Sequence, residues 1–579
     1  MLKEFTISDG KAILNFTLKF CDSRQKILNS LGFRRVIETF VQKLKKDEII
    51  IYNYYVNAFE TDEEFEKSLT EIFKLLTICS TEEILEVNKK YAVFFDYKAL
   101  FIELIELLYN YWRSLSRFAI VHNNTIGDGL QSVRFIHASE LFNELVLSIY
   151  RRAEETVMGY QHRVYRQLTA GINAGLKLND ISWNCPVEYS GLQKIPFITS
   201  VVFYPPFIVY TKNNTRDGLF QEHSTNPLRG VILNEDDWFL YPAKVGTMLT
   251  FVYFHKDFMN QGFGLCNLFE LAKESEYIGK KPDIIYLFGY PDGHEEKRTF
   301  YHKDTANDIL IGYANHCPDV DYFGYMKKML LTLHNVKQME LGYLPIHGAM
   351  VNISLKNGSN ANIVIVGDSG AGKSESLEAF RTLNASYIRH MRIIFDDMGI
   401  LKRAEDGTIM GYGTEVGAFV RVDDLDPSYA FEQLERGIFM NPDKINARVT
   451  IPITPYDVIV NGYKVDYILY ANNYEDPGEK QIAFYDDLEK SIKIFEDGAR
   501  RAKGTTSETG LVKSYFANPF GPVQEKELAK KLIHEYFEDM HKNGVKIGEI
   551  YTCLAIPGKE KSGPKEAAEE MFLLINGDN

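Results

Sequence analysis

Residues 363–376 read IVIVGDSGAGKSES, an aliphatic run that passes straight into a glycine-rich loop. Gly367-Asp368-Ser369-Gly370-Ala371-Gly372-Lys373-Ser374 satisfies the pattern G-x-x-x-x-G-K-[ST]. Such a loop functions between a strand and a helix. The glycines let successive backbone N–H groups curl round phosphates, and the following helix presents its positive N-terminal end. Lys373 is then placed to neutralise the outer phosphates of ATP, and the Ser374 hydroxyl to ligate Mg²⁺. The flanking residues meet this demand, because SESLEAFRTL after the loop has helical character. The next hydrophobic run, MRIIF, ends in Asp396-Asp397. Taken alone, Asp-Asp is usually a solvated turn. Behind a phosphate loop it reads as a carboxylate pair that holds Mg²⁺ or takes a proton from an acceptor hydroxyl.

A chain of 579 residues exceeds one ordinary hydrophobic core, so several domains are expected. The formal charge of -14 argues against nucleic acid as a partner, since phosphate-backbone binding needs a concentrated basic surplus. Cys21, Cys79, Cys185, Cys266, Cys317 and Cys553 are scattered without metal-ligand spacing, so neither disulfides nor structural zinc are expected. The start, MLKEFTISDG, lacks the apolar core of a signal peptide. ALFIELIELLYNYW is interrupted by Glu103 and Glu106 and is shorter than the roughly 20 residues that span a bilayer. It reads as a buried helix, and the chain as a cytoplasmic protein with no membrane partner.

Periodicity divides the chain into three expected domains. Residues 1–175 repeat apolar positions every three or four residues and read as mostly helical, with a short strand at Glu48 to Tyr52. The bland role for this part is regulation, a protein partner or self-association. Residues 176–335 carry β-branched and aromatic runs, such as KPDIIYLFGY, broken by Pro, Gly and Asn, and read as a mixed α/β domain. Residues 336–579 hold the loop, the strands RIIF, RVTIPI and VDYILYANN, and a closing helix at Pro564 to Leu574. The fold class is therefore α/β, mixed α+β in detail. The polar stretch Ala499 to Gly510 has the composition of a lid that excludes water.

IHGAMVNI before the loop, GDSGAGKSES within it and FDDMGIL after it resemble the HPr kinase/phosphorylase pattern. Gly324-Tyr325-Met326-Lys327-Lys328 resembles the Gly-Glu-Met-Lys-Lys segment of ATP-type phosphoenolpyruvate carboxykinases, which belong to the same superfamily. The spacing from Lys328 to His347 also matches. Arg448 in NARVTIPI stands where that family has an arginine on the transferred phosphate, and GTTSETG with FANPFGP is weakly similar to its nucleotide-binding part. The resemblance implies a carboxykinase-like P-loop catalytic domain. It also implies a second cation, Mn²⁺, held by Lys328, His347 and an Asp of the 396/397 pair, with Ser374 on the nucleotide's Mg²⁺. Oxaloacetate and ATP would give phosphoenolpyruvate, ADP and CO₂, and the other partner is then a small anionic substrate.

The pattern also departs from that family. No Arg-Ser-Pro, the family's carboxylate-binding run, occurs in the chain; Arg216, Arg229 and the more remote Arg163 are the candidate replacements. The later Gly-Thr-Glu-Arg arginine is missing, with Ser507 nearest in register, and Tyr325 replaces the Glu of Gly-Glu-Met-Lys-Lys. The alternative reading is an HPr-kinase-like enzyme that phosphorylates another small molecule or a protein. A third is a nucleotide-sensing module without turnover.

Overall fold

A computed structural model of the chain describes residues 3–122, 129–161, 170–204, 207–382, 388–422, 435–502 and 510–577. The chain divides into two compact units. One comprises Met1–Ile181, Pro196–Phe207 and Asn234–Asp236, the other Ser182–Ile195, Ile208–Leu233 and Asp237–Asn579. Both mix helices with strands, so the α/β class is the one adopted.

The first unit is built on helices whose starts are marked in the sequence. The Ser30 hydroxyl accepts from the Phe33 amide at 3.0 Å to open Leu31–Asp47. Thr61 caps Asp62–Leu76 in the same way, and Asp62, Glu63 and Glu64 complement the positive end of its dipole. Phe65, Leu69, Ile72, Phe73 and Leu76 form the buried face of that helix at the helical period. Glu48 to Tyr52 is not a strand. Ile49–Phe59 is a helix, because Tyr52, Tyr55 and Phe59 recur at helical spacing and all enter the core. The helical reading also passed over four strands, Phe5–Ser8, Lys11–Asn15, Ser116–His122 and Ala174–Asn179. The middle two pair in parallel, as do the last two, and the first two form a hairpin.

Rings of Tyr55, Phe59, Phe65, Phe94 and Phe101 stack at the centre of this unit, with Tyr55 and Phe65 at 5.5 Å. Phe65→Ala is expected to cost about 3–5 kcal/mol of unfolding free energy, the usual range for deleting a buried ring. Urea unfolding followed by far-UV circular dichroism checks this.

Lys98–Ser114, the most apolar helix read from the sequence, buries Phe101, Leu104, Ile105, Leu108 and Trp112 against its neighbours. Among the described residues no helix is long and apolar enough to cross a membrane. The six cysteines are free thiols.

The second unit carries two large sheets. In one, Trp238–Val245 and Met248–His255 form a hairpin, and Met248–His255, Ile284–Tyr290 and Ile309–Asn315 run parallel. In the other, the strand before the glycine loop, Asn360–Val366, lies between antiparallel Leu344–Leu355 and parallel Tyr467–Asn472. Ile388–Arg403 flanks Leu344–Leu355 on its far side, and Lys546–Tyr551 extends the parallel half. Ala361 to Val366 are all buried, as a central strand covered on both faces requires. The helix Phe323–Glu340 buries nearly its whole circumference, which fixes Lys327 and Lys328 rigidly.

Candidate phosphate and metal site

The chain leaves Asn360–Val366, turns through the loop and enters the helix Lys373–Thr382, giving the strand–loop–helix order the motif needs. Gly370 and Gly372 adopt φ +81° and +110°, conformations that residues with a side chain rarely take. At Gly372 a Cβ would also meet the Thr552 side chain at 2.7 Å. The loop is tied from outside. Thr552 Oγ1 donates to the Ala371 carbonyl at 2.7 Å, and Asn473 Nδ2 to the Gly370 carbonyl at 3.0 Å. Asp368 accepts from the Ser369 amide at 2.7 Å and pairs with Arg500 at 3.1 Å. Gly367 donates its amide to the His347 carbonyl at 3.0 Å, so the loop begins beside the histidine.

The register of Leu344–Leu355 against Ile388–Arg403 sets Gly348 opposite Asp397 and Ala349 opposite Asp396. Successive strand residues normally point to opposite faces. At Asp397 the backbone turns to φ +108°, a strained value for a non-glycine residue. Asp397 reaches His347 Nε2 at 2.8 Å, Lys327 at 2.8 Å and Lys328 at 3.2 Å. Asp396 accepts from the Ser374 hydroxyl at 3.0 Å. Lys373 Nζ lies 2.7 Å from the Gly367 carbonyl and 3.3 Å from His347 Nε2. Lys328, His347, Lys373, Ser374, Asp396 and Asp397 thus form one connected group. It is also divided: Ser374 with Asp396 on the loop side, Lys328 with His347 and Asp397 beside it.

His347 is the informative member. Its Nδ1 is 2.8 Å from the Ala517 carbonyl, which can only accept, so Nδ1 carries the proton. Burial, and then the Lys373 charge, lower its pKa, so the ring is neutral and Nε2 bears a lone pair. That lone pair faces the Asp397 carboxylate at 2.8 Å. Two acceptors at this distance need positive charge beside them; Lys373 Nζ at 3.3 Å from Nε2 and the Lys327 and Lys328 amines on Asp397 supply it here, and a divalent ion would take the place between them. A carbonyl that holds one ring N–H and leaves the other nitrogen's lone pair free to face an ion is the arrangement that orients a metal-ligating histidine.

Burial favours neutral Lys328, and the neighbouring Lys327 ammonium adds to this against the pull of Asp397, bringing its pKa down to about 8. A neutral amine can ligate a metal. Burial also works against the charge on Lys327, but Asp397 and Glu415 outweigh it and its pKa is raised. Lys327 pairs with Glu415 at 2.9 Å as well as with Asp397. For Asp397, burial is overcome by the Lys327 and Lys328 charges, and its carboxyl lies well below the usual range. Asp396 is pushed up to about 6 by burial and by the charge of Asp397. The two carboxylates are therefore unlike: one is a permanent anion, the other a weak base near neutrality. The donor set of amine, imidazole and carboxylate holds a divalent transition ion; the nitrogens suit Zn²⁺ or Fe²⁺, and the carboxylate, with waters, suits Mn²⁺.

A pH dependence follows from Lys328. Below its pKa a proton competes with the metal for Nζ, so Mn²⁺ affinity is expected to rise about tenfold per pH unit up to about pH 8 and then level. Isothermal titration of Mn²⁺ across that interval checks it, and Lys328→Met is expected to flatten the slope.

Arg448 is not brought into this group. It bonds Asn446 at 3.1 Å and stacks on Phe419 at 5.6 Å, with no bond to the cluster among the described residues. Arg229 is exposed, whereas Arg216 is half-buried over the rings of Phe220 and Phe520 at 5.2 and 5.5 Å. Phe520 also lies under Lys328 Nζ at 4.5 Å, so both cations flank one ring. Tyr325 donates to Asp217 at 2.7 Å and accepts from Lys297 at 3.2 Å. Arg163 and Ser507 lie outside the described residues, as does 503–509 of the expected lid; Ala499–Arg501 pairs with Leu511–Lys513 as a short hairpin. Sequence reasoning missed Glu415, Ala517, Phe520, Asn473 and Arg500. A dibasic pair entering a buried helix was the one signal that a carboxylate such as Glu415 had to be near.

No family model matches the chain. An 86-residue stretch, 15% of the chain, is 30% identical to the sensory transduction protein LytT of Bacillus subtilis strain 168. The match spans about a third of that protein's length, 34%.

Proposed function

We propose that this chain transfers the γ-phosphoryl of ATP in a carboxykinase-like reaction on a small 2-oxo dicarboxylic acid, oxaloacetate being the expected case. The observation that carries the reading is the His347 lone pair directed at the ionised Asp397 beside a depressed Lys328, all against the phosphate loop. Amides of Gly367 to Ser374 bind the triphosphate, and Lys373 spreads the charge that develops on the transferred group. Ser374, oriented by Asp396, is the ligand for the nucleotide's Mg²⁺. Lys328, His347 and Asp397 would hold Mn²⁺, which when bound stabilises negative charge on the acceptor oxygen. Arg216 lies over the same Phe520 ring as Lys328, so its guanidinium stands beside the ion site and suits a carboxylate of the acceptor, which supports Arg216 as the replacement for the missing Arg-Ser-Pro. With Arg448 turned onto Phe419, the reading assigns no contact to it.

A second reading has one specific support. Asp396, at a pKa of about 6, has the basicity to take a proton from an acceptor hydroxyl, a step that an enolate acceptor does not need. An HPr-kinase-like reaction on a different small molecule or a protein would use it. Purified protein with ATP, Mg²⁺, Mn²⁺ and oxaloacetate is expected to form phosphoenolpyruvate and ADP together. ADP formed only when a hydroxyl acceptor is supplied would replace the first reading by the second. Nucleotide binding without turnover would contradict both and leave the sensing module.

A further inference from the structure

The other large sheet of the second unit ends in a cluster that the phosphoryl-transfer reading does not use. Met248–His255 and Ile309–Asn315 both run parallel to Ile284–Tyr290 between them, so their carboxyl ends lie at one edge. In sheets of this kind that edge is where ligands commonly bind. His255 is the last residue of the first strand, Asp257 follows in the short 3-10 turn Lys256–Phe258, and His316 comes directly after the third strand. Each offers a ligand atom, and these atoms lie within 4.8 Å of one another. His316 Nε2 is 2.9 Å from Asp257 Oδ2, and His255 Nδ1 is 3.3 Å from the same oxygen. A tetrahedral ion with bonds of about 2.0–2.1 Å sets its ligand atoms about 3.3–3.4 Å apart, so the cluster needs little movement to close on one.

A second observation points the same way. His255 Nδ1 lies 3.3 Å from the Asp257 amide, which can only donate to it, and 3.3 Å from the Asp257 carboxylate, which can only accept when ionised. One nitrogen cannot satisfy both. If Nδ1 accepts from the amide, its lone pair confronts the carboxylate; if it is protonated, it confronts the amide N–H. A divalent ion that takes the Nδ1 lone pair in place of the long 3.3 Å amide bond, together with the carboxylate, removes the conflict. Lys256 is already engaged by Asp237; a proton on His316, 2.9 Å from the same Asp257 carboxylate oxygen, is the positive charge that the ion would replace.

We propose that His255, Asp257 and His316 form a three-ligand site for a divalent ion of the zinc class, separate from the Lys328–His347–Asp397 group. Two imidazoles and one carboxylate select Zn²⁺, Co²⁺ or Ni²⁺ over Mg²⁺ and Ca²⁺, which favour all-oxygen shells. All three residues are only partly buried, so a fourth position is open to water.

The test is calorimetric titration of chelator-treated full-length protein with Zn²⁺ alone, in wild type and in the His347→Ala, Asp257→Asn and His316→Gln variants. His347→Ala is expected to keep one tight equivalent. Asp257→Asn and His316→Gln are each expected to weaken that equivalent by more than about 100-fold, beyond the loss typical of an outer-shell partner. Unchanged thermal melting in at least one of these two variants separates ligand loss from unfolding. With Co²⁺ in place of Zn²⁺, partial quenching of tryptophan emission is expected, because the Trp238 ring lies 5.4 Å from that of His255. Absence of saturable Zn²⁺ binding in His347→Ala, or wild-type affinity in both Asp257→Asn and His316→Gln, would overturn the site.

Discussion

Lys373→Ala is expected to lower nucleotide turnover by at least about 100-fold, the loss usual when one preorganised donor to a developing charge is removed. Lys373 is the ammonium that the loop itself supplies. It is buried, held to the Gly367 carbonyl at 2.7 Å and placed 3.3 Å from His347 Nε2, so it sits where the two halves of the site meet. The backbone cradle survives the substitution, because Asn473 and Thr552 fasten it through carbonyl groups. The rate should therefore fall more than nucleotide affinity does. Steady-state kinetics with a separate ATP-binding measurement resolves the two, and full activity would refute the assignment of the loop.

Asp397→Asn is expected to have two large effects that His347→Ala does not combine. The carboxylate offsets two buried ammonium groups, at 2.8 Å from Lys327 and 3.2 Å from Lys328. Removing one partner of a buried ion pair costs about 3–5 kcal/mol, because an uncompensated charge stays behind. Glu415 limits that cost, by a direct pair with Lys327 and through space for Lys328. The variant should lose both its Mn²⁺-dependent rate and a substantial part of its stability. His347→Ala should lose more Mn²⁺-dependent rate than ATP affinity, without the charge penalty. Mn²⁺ titration of the rate together with urea unfolding of both variants reads this contrast. Equal loss of rate and of ATP affinity in His347→Ala would count against the second cation.

The glycine loop between strand and helix was legible because its requirements are local. A buried aliphatic strand, two residues at positive φ and a following helix all fall within Ile363 to Thr382, and each has its own residue signature. The pairing of Lys328 with His347 and Asp397 was reachable only through the resemblance, since nothing in the spacing alone brings a helix and two strands to one point. Glu415, Ala517 and Phe520 were out of reach for the same reason: a carboxylate, a carbonyl and a ring contributed from afar leave no pattern. The φ of +108° at Asp397 is imposed by its tertiary partners and contradicts local preference. In the first unit, Ser116–His122 is a short apolar run buried on a parallel strand, which periodicity does not separate from the end of the preceding helix. The IIIYNYYV run misled in the opposite direction. Its β-branched start suggests a strand, and the burial of Tyr52, Tyr55 and Phe59 settles it as a helix.

The most direct test of a divalent ion shared by these residues is an anomalous difference map from crystals grown with Mn²⁺ and a non-hydrolysable ATP analogue. The account predicts a manganese peak in contact with Lys328 Nζ, His347 Nε2 and the Asp397 carboxylate, beside a triphosphate on the amides of residues 367–374. A triphosphate bound elsewhere, or manganese peaks with none between those three side chains, would contradict it.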